Sequence, residues 1–159
     1  MSKIKKNKKQ IWLEKFDCFS ITGKDSKRFL NGITTSNIVD FSDRVLKTCW
    51  LSPNGVLKSL LEINYLDNQL EVIVFVGNTS DIREYFNNII FPLDDVALGV
   101  TFSINRLQQV DNINSWRITQ PIFFKDEDKK YDFYHNNPNL MNTNDLQLWK
   151  INQAIPSLD

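Results

Sequence analysis

Between positions 46 and 76 three apolar-rich runs are separated by two turn signals, and a chain carrying such a stretch is committed to a sheet. Leu46–Leu51 and residues 56–66 are joined through Ser52-Pro53-Asn54-Gly55. There Pro53 pre-sets φ and Asn-Gly tolerates positive φ, so the two runs read as a hairpin. Asp67-Asn68 then gives a tight turn into Gln69–Val76, a third neighbouring strand. On the second strand Leu57, Ser59, Leu61, Ile63 and Tyr65 share one face, and the more polar even-numbered set shares the other. The odd face is therefore expected to look inward. Ser59 is its polar interruption, and a buried hydroxyl left without a partner costs ~1–3 kcal/mol.

Residues 16–22 alternate Phe16, Cys18, Ser20 and Thr22 against Asp17, Phe19 and Ile21, a strand pattern that ends at Gly23. Asp25 is placed to cap a short helix whose stripe is Phe29, Leu30 and Ile33. Gly77-Asn78-Thr79-Ser80-Asp81 supplies cap chemistry for a second helix, in which Ile82, Tyr85, Phe86, Ile89 and Ile90 recur at i, i+3, i+4, i+7 and i+8. Pro92 lies beyond its end, and residues 96–104 are apolar enough to return as a strand. The order strand, helix, three strands, helix, strand predicts an α+β fold, an antiparallel or mixed sheet with helices on one face. Further on, residues 116–119 and 122–124 read as short strands, 125–143 as a polar loop, and Asp145 as the start of a helix stopped by Pro156.

With 159 residues the chain can hide roughly 70% of its unfolded surface. Lys+Arg and Asp+Glu are both 19, so the body offers no net field to draw in nucleic acid or an anionic membrane. The expectation is no nucleic-acid partner and no membrane. Five lysines crowd the first nine positions and read as a solvated, disordered tail over 1–10. The apolar stretch Ile11-Trp12-Leu13 is too short for a signal-peptide core, and the longest apolar run falls far short of the ~20 residues of a membrane span, which places the protein in the cytoplasm. Cys18 and Cys49 lie in no metal-ligand spacing and read as reduced, buried thiols. His135 is the single histidine, with no Ser or Cys nucleophile near it in sequence.

Three segments carry a resemblance to a known family. Ile21-Thr22-Gly23-Lys24-Asp25-Ser26-Lys27-Arg28-Phe29-Leu30-Asn31-Gly32-Ile33-Thr34-Thr35-Ser36-Asn37-Ile38 is similar to V-x-G-x-D-x-x-x-F-L-q-g-q-l-T-N-D-v. Trp50-Leu51-Ser52-Pro53-Asn54-Gly55-Val56-Leu57 is similar to f-l-s-P-q-G-r-v-l, one residue shorter, and Trp149-Lys150-Ile151-Asn152-Gln153-Ala154-Ile155-Pro156 to w-e-x-x-R-I-x-x-G-I-P. In this order the segments resemble the N-terminal portion of the folate-binding family that contains YgfZ and the glycine-cleavage T-protein (GcvT). The resemblance implies a ring of related lobes with tetrahydrofolate in a central cavity, of which residues 11–104 are the folate-binding lobe and 105–159 the start of an incomplete second lobe. The family's K-G-C-Y-x-G-Q-E motif, which comes after the last segment, has no counterpart here.

In T-protein members the turn is followed by a pair of aspartates, the second of which orients the folate for aminomethyl transfer. Strand matched to strand, those places fall on Lys58 and Ser59. A carboxylate can stabilise cationic charge in a dry site and shuttle a proton, whereas serine does neither well. The resemblance thus implies a non-catalytic, tetrahydrofolate-binding, YgfZ-like protein that supports iron–sulfur cluster assembly or repair in client enzymes. The alternatives are a folate-dependent aminomethyltransferase that has replaced its carboxylate, and an interaction domain that has lost its ligand. The implied folate contacts are Ser59, with Leu61 and Ile63 as apolar walls, and Thr35 and Asn37 as polar neighbours. Bonds to neighbouring backbone for Ser59, and a helix C-terminal turn for Thr35 and Asn37, are the structural alternatives.

Overall fold

The computed structural model describes residues 9–41, 45–111, 116, 119–153 and 155. Most of the expected basic tail, two residues of the expected strand at 116–119, and Pro156 lie outside the described residues. The chain divides into two compact units, one built on Phe16–Ser103 and one of the residues up to Lys15 with Ile104–Pro156.

The Phe16–Ser103 unit takes the later part of β1 (Gln10–Thr22), then α1 (Ser26–Ile33), β2 (Leu46–Leu51), β3 (Leu57–Leu66), β4 (Gln69–Val76), α2 (Thr79–Ile89) and the short β5 (Ala97–Leu98). Its strands run in the order β2-β3-β4-β1, each antiparallel to its neighbour, and β5 pairs with the end of β1. The register sets Phe19 opposite Val72, Ile21 opposite Leu70, and Ile63 opposite Val72. One sheet face therefore presents Phe19, Ile21, Leu61, Ile63, Leu70, Val72 and Val74, and Leu30 of α1 with Ile82 and Phe86 of α2 close over it. Each such side chain taken out of water contributes about 1.5–3 kcal/mol. α2 begins at Asn78, whose side chain accepts from the Asp81 N–H at 3.1 Å.

The opposite face departs from the outward setting that alternation predicts. Cys18, Ile73, Glu62 and Glu71 are buried there, and Glu71 accepts from Asn64 Nδ2 at 2.9 Å across the β3–β4 ladder. The middle of the sheet is thus covered on both sides, while Leu57 and Tyr65 at the ends of β3 stay exposed. The strand expected over 96–104 is broken in two. Gly99 donates its N–H to Ser20 O at 2.8 Å, and a Cβ at Gly99 would lie 2.2 Å from Ser20 Oγ. So close a crossing stops β5, and the next strand, β6 (Phe102–Val110), starts beyond it.

The other unit holds the first residues of β1, most of β6, β7 (Ile122–Phe124), α3 (Lys130–His135) and α4 (Thr143–Asn152). β6 and β7 are antiparallel, and Ile11, Leu107 and Phe124 form a small core with Leu13, Tyr131, Tyr134 and Leu140 around it. Trp12 packs on Trp149 with ring centroids 5.2 Å apart. Ile11 is tied on both sides, from its N–H to Asn139 O (2.9 Å) and from Met141 N to its carbonyl (3.1 Å). β1 therefore begins six residues earlier than its alternating pattern suggests. The segment expected as a loop over 125–143 contains α3, and α4 is opened by Asn142, not Asp145: the Asn142 side chain accepts from the Asp145 N–H at 2.8 Å. Among the described residues no helix is long and apolar enough to cross a membrane.

Candidate functional site

Ser59, Leu61 and Ile63 do share one face of β3, but that face is interior. Their exposures are 0%, 1% and 0%, and Leu61 and Ile63 belong to the core closed by both helices of the unit. Ser59 Oγ has no hydrogen-bond partner, so the bond to neighbouring backbone that alternation would require is not made. The neighbouring backbone is close. Gly77, at φ +134, passes so close that a Cβ there would lie 2.8 Å from Ser59 Cβ. Lys58, its neighbour on the other face, is exposed.

Thr35 and Asn37 lie on the surface, and their polar groups are engaged locally. As the chain leaves α1 it pairs with the edge of β2: Thr34 bridges Trp50, the Thr35 N–H reaches Cys49 O at 3.1 Å, and Cys49 N donates to Thr35 Oγ1 at 3.1 Å. Ser36 continues the contact through Thr48 Oγ1 (3.2 Å) and Lys47 O (3.0 Å). Asn37 Nδ2 donates to Asp40 Oδ2 at 2.7 Å, closing a turn on itself. Thr35 and Asn37 thus act as an edge strip and a turn for the sheet. Trp50 faces the core side, with its ring 4.7 Å from Tyr85 and 5.8 Å from Phe86.

The Gly23-Lys24-Asp25 motif does something its local sequence does not announce. Asp25 sits at the N-cap of α1 without a side-chain cap bond. Its carboxylate instead accepts from the Asp95 N–H at 2.9 Å, while its own N–H donates to Asp95 O at 3.1 Å. Lys24 N adds a 3.3 Å bond to Asp95 Oδ2, and Arg28 Nη2 pairs with Asp94 at 2.8 Å and Asp25 at 3.4 Å. Gly23, at φ +106, is required because a Cβ there would lie 2.0 Å from Asp95 O. The Asp95 backbone N–H, helped by Arg28, holds the Asp25 carboxyl below its ordinary range. The motif is a clasp between two loops. Asp94 and Asp95 escape a sequence reading because only the tertiary fold brings them to Gly23.

The five expected folate contacts do not form one cavity: three are enclosed in the core and two are on the surface. None of them lines the groove between α1 and the end of α2, where Phe29, Ile33, Ile90 and Leu93 are found, or the cleft in the other unit. As a set they do not fit tetrahydrofolate, because Leu61 and Ile63 have no surface to offer a ring.

Comparison with known proteins is consistent with the fold and narrow in reach. No family profile matches the sequence, and no curated protein matches it. Among solved structures, the glycine cleavage system aminomethyltransferase T from Bartonella henselae superposes with a TM-score of 0.53 at 11% identity, over 62% of this chain and 29% of that chain. At that identity the likeness is one of fold: much of this chain has an aminomethyltransferase T-like, mixed α+β architecture, and it spans under a third of the length of the protein it matches.

Proposed function

We propose that this chain is a tetrahydrofolate-binding protein on an aminomethyltransferase T-like fold, without transferase chemistry of its own, acting in the cytoplasm. The fold likeness and the three ordered motifs support the folate half of that reading. The observation that carries the other half is at the start of β3. Where the transferases have two carboxylates, this chain has an exposed ammonium at Lys58 and, at Ser59, a hydroxyl with no exposed surface. Aminomethyl transfer develops positive charge beside the folate, which a fixed carboxylate in a dry site stabilises. A lysine there opposes that charge, and an enclosed serine touches no ligand. Bound folate would draw on surfaces other than Leu61 and Ile63.

The finer reading, a YgfZ-like role in assembling or repairing iron–sulfur clusters, is proposed to be exercised on client proteins. Among the described residues no three His, Cys, Asp or Glu side chains are grouped so as to hold a metal ion, and a cluster needs about four thiolates.

Adding tetrahydrofolate while following thermal unfolding and tryptophan fluorescence tests the proposal. A ligand that binds only the native state stabilises it by about 2.7 kcal/mol at a hundred times Kd, so the melting temperature should climb with the logarithm of ligand concentration. An unchanged melting temperature far above micromolar ligand overturns it.

A further inference from the structure

The unit that begins with β1 holds a cleft of about 490 Å³ in which neither the core residues of β3 nor the loop clasp takes part. That volume lies within the ordinary range for small-molecule sites. One wall is aromatic. Tyr131 and His135, one turn apart on α3, both line the cleft and stack on each other with centroids 5.2 Å apart and planes 16° from parallel. Met141 and Leu146, which are 7% and 8% exposed, add an apolar part to the lining.

The polar groups are selective. Asn105 is 2% exposed and lines the cleft; its Nδ2 donates to Asp126 Oδ1 at 2.7 Å, and its carbonyl oxygen accepts no hydrogen bond among the described residues. That oxygen is not among the enclosed atoms left without a partner, so it is open to the cleft, where it can accept from water or from a ligand N–H. The charges at the rim are already balanced, Lys15 against Asp126 and Glu14 against Lys150, the latter at 3.0 Å. The site therefore offers no net charge to a phosphate or a carboxylate, and a wall and an acceptor to a flat, neutral ring.

We propose that this cleft binds a neutral, planar heteroaromatic ring with ring N–H donors, of the purine or pterin type, stacked on the Tyr131–His135 wall with an N–H directed to the Asn105 carbonyl. The inference rests on this geometry and not on the folate reading. Ring stacking is tolerant of ring identity, because every such ring has a π face, while the amide acceptor selects for an N–H edge.

The test uses the full chain, titrated with guanosine and with 6-hydroxymethylpterin and followed by saturation-transfer NMR and tryptophan fluorescence. At least one ring should bind saturably, and His135→Ala and Tyr131→Ala should each weaken it about fivefold or more, the loss expected for removing a stacking partner. His135 is exposed and outside the small core, so circular dichroism of His135→Ala should match the parent, whereas Tyr131 packs against that core and its variant is compared only once its unfolding shows a native fold. Tighter binding of guanosine identifies a purine site and tighter binding of the pterin a pterin site, and either supports the proposal. No saturable binding of either at millimolar concentration overturns it, as does equal affinity in the parent and both variants. If tetrahydrofolate raises the melting temperature while neither ring binds here, the folate reading stands and this inference falls.

Discussion

At the scale of single residues, Ser59 shows how a correct reading can lead to the wrong role. Alternation marks it as the polar member of an inward face, and it is inward. What alternation cannot contain is the close pass of Gly77 beside it and the lack of any partner for its hydroxyl. Enclosing a hydroxyl without a partner costs ~1–3 kcal/mol, so Ser59→Ala should leave stability unchanged or raise it by up to about 1 kcal/mol in thermal or denaturant unfolding. Ser59→Asp, which restores the transferase-like carboxylate, should instead destabilise by more than about 3 kcal/mol, because it places an unpaired charge in a closed core. A soluble, fully stable Ser59→Asp protein would show that this core opens. Asp25 teaches the converse: a helix-cap assignment is locally sound, yet its carboxylate is claimed by a backbone N–H 70 positions away.

Elements were legible in proportion to their burial. α2 could be read because Ile82 and Phe86 fall at helical spacing into the core and Asn78 caps the first turn. α3 could not, because none of its six residues is buried and no stripe exists to be seen. The cleft beside it was illegible for a related reason: its lining comes from positions 13–15, 105 and 131–147, which only folding assembles. The two asparagine caps should therefore differ in reach. Each removal costs about 1 kcal/mol, but Asn78→Ala should lower the melting temperature of the Phe16–Ser103 unit, whose core α2 completes. Asn142→Ala should chiefly speed amide exchange in α4, where Leu146 and Trp149 are the buried anchors. Equal exchange in α4 before and after the change would show that its cap contributes nothing.

Over the whole molecule, the α+β class could be read from the order of turn and cap signals, whereas one boundary between the two units falls inside the uninterrupted strand β1, where no local signal marks it. The loop clasp at Gly23, Asp25 and Asp95 has a consequence in time as well as in geometry. It joins positions 70 residues apart, and contacts of such separation meet their loop-closure cost before they return any stabilisation. A contact made late leaves the folding rate nearly untouched and appears in the unfolding rate. In a chevron experiment Asp25→Ala should steepen neither arm and should lift the unfolding limb alone. The carboxyl's depressed pKa sets when this matters: its stabilisation is present above the unfolded value of about 4 and is lost as pH falls through the lower folded value. Asp126, held low by Lys15 and Asn105, adds to the same acid sensitivity. Acid should accordingly shorten the lifetime of the native state before it slows the return to it, so that the clasp works as a latch on departure and plays no part in arrival.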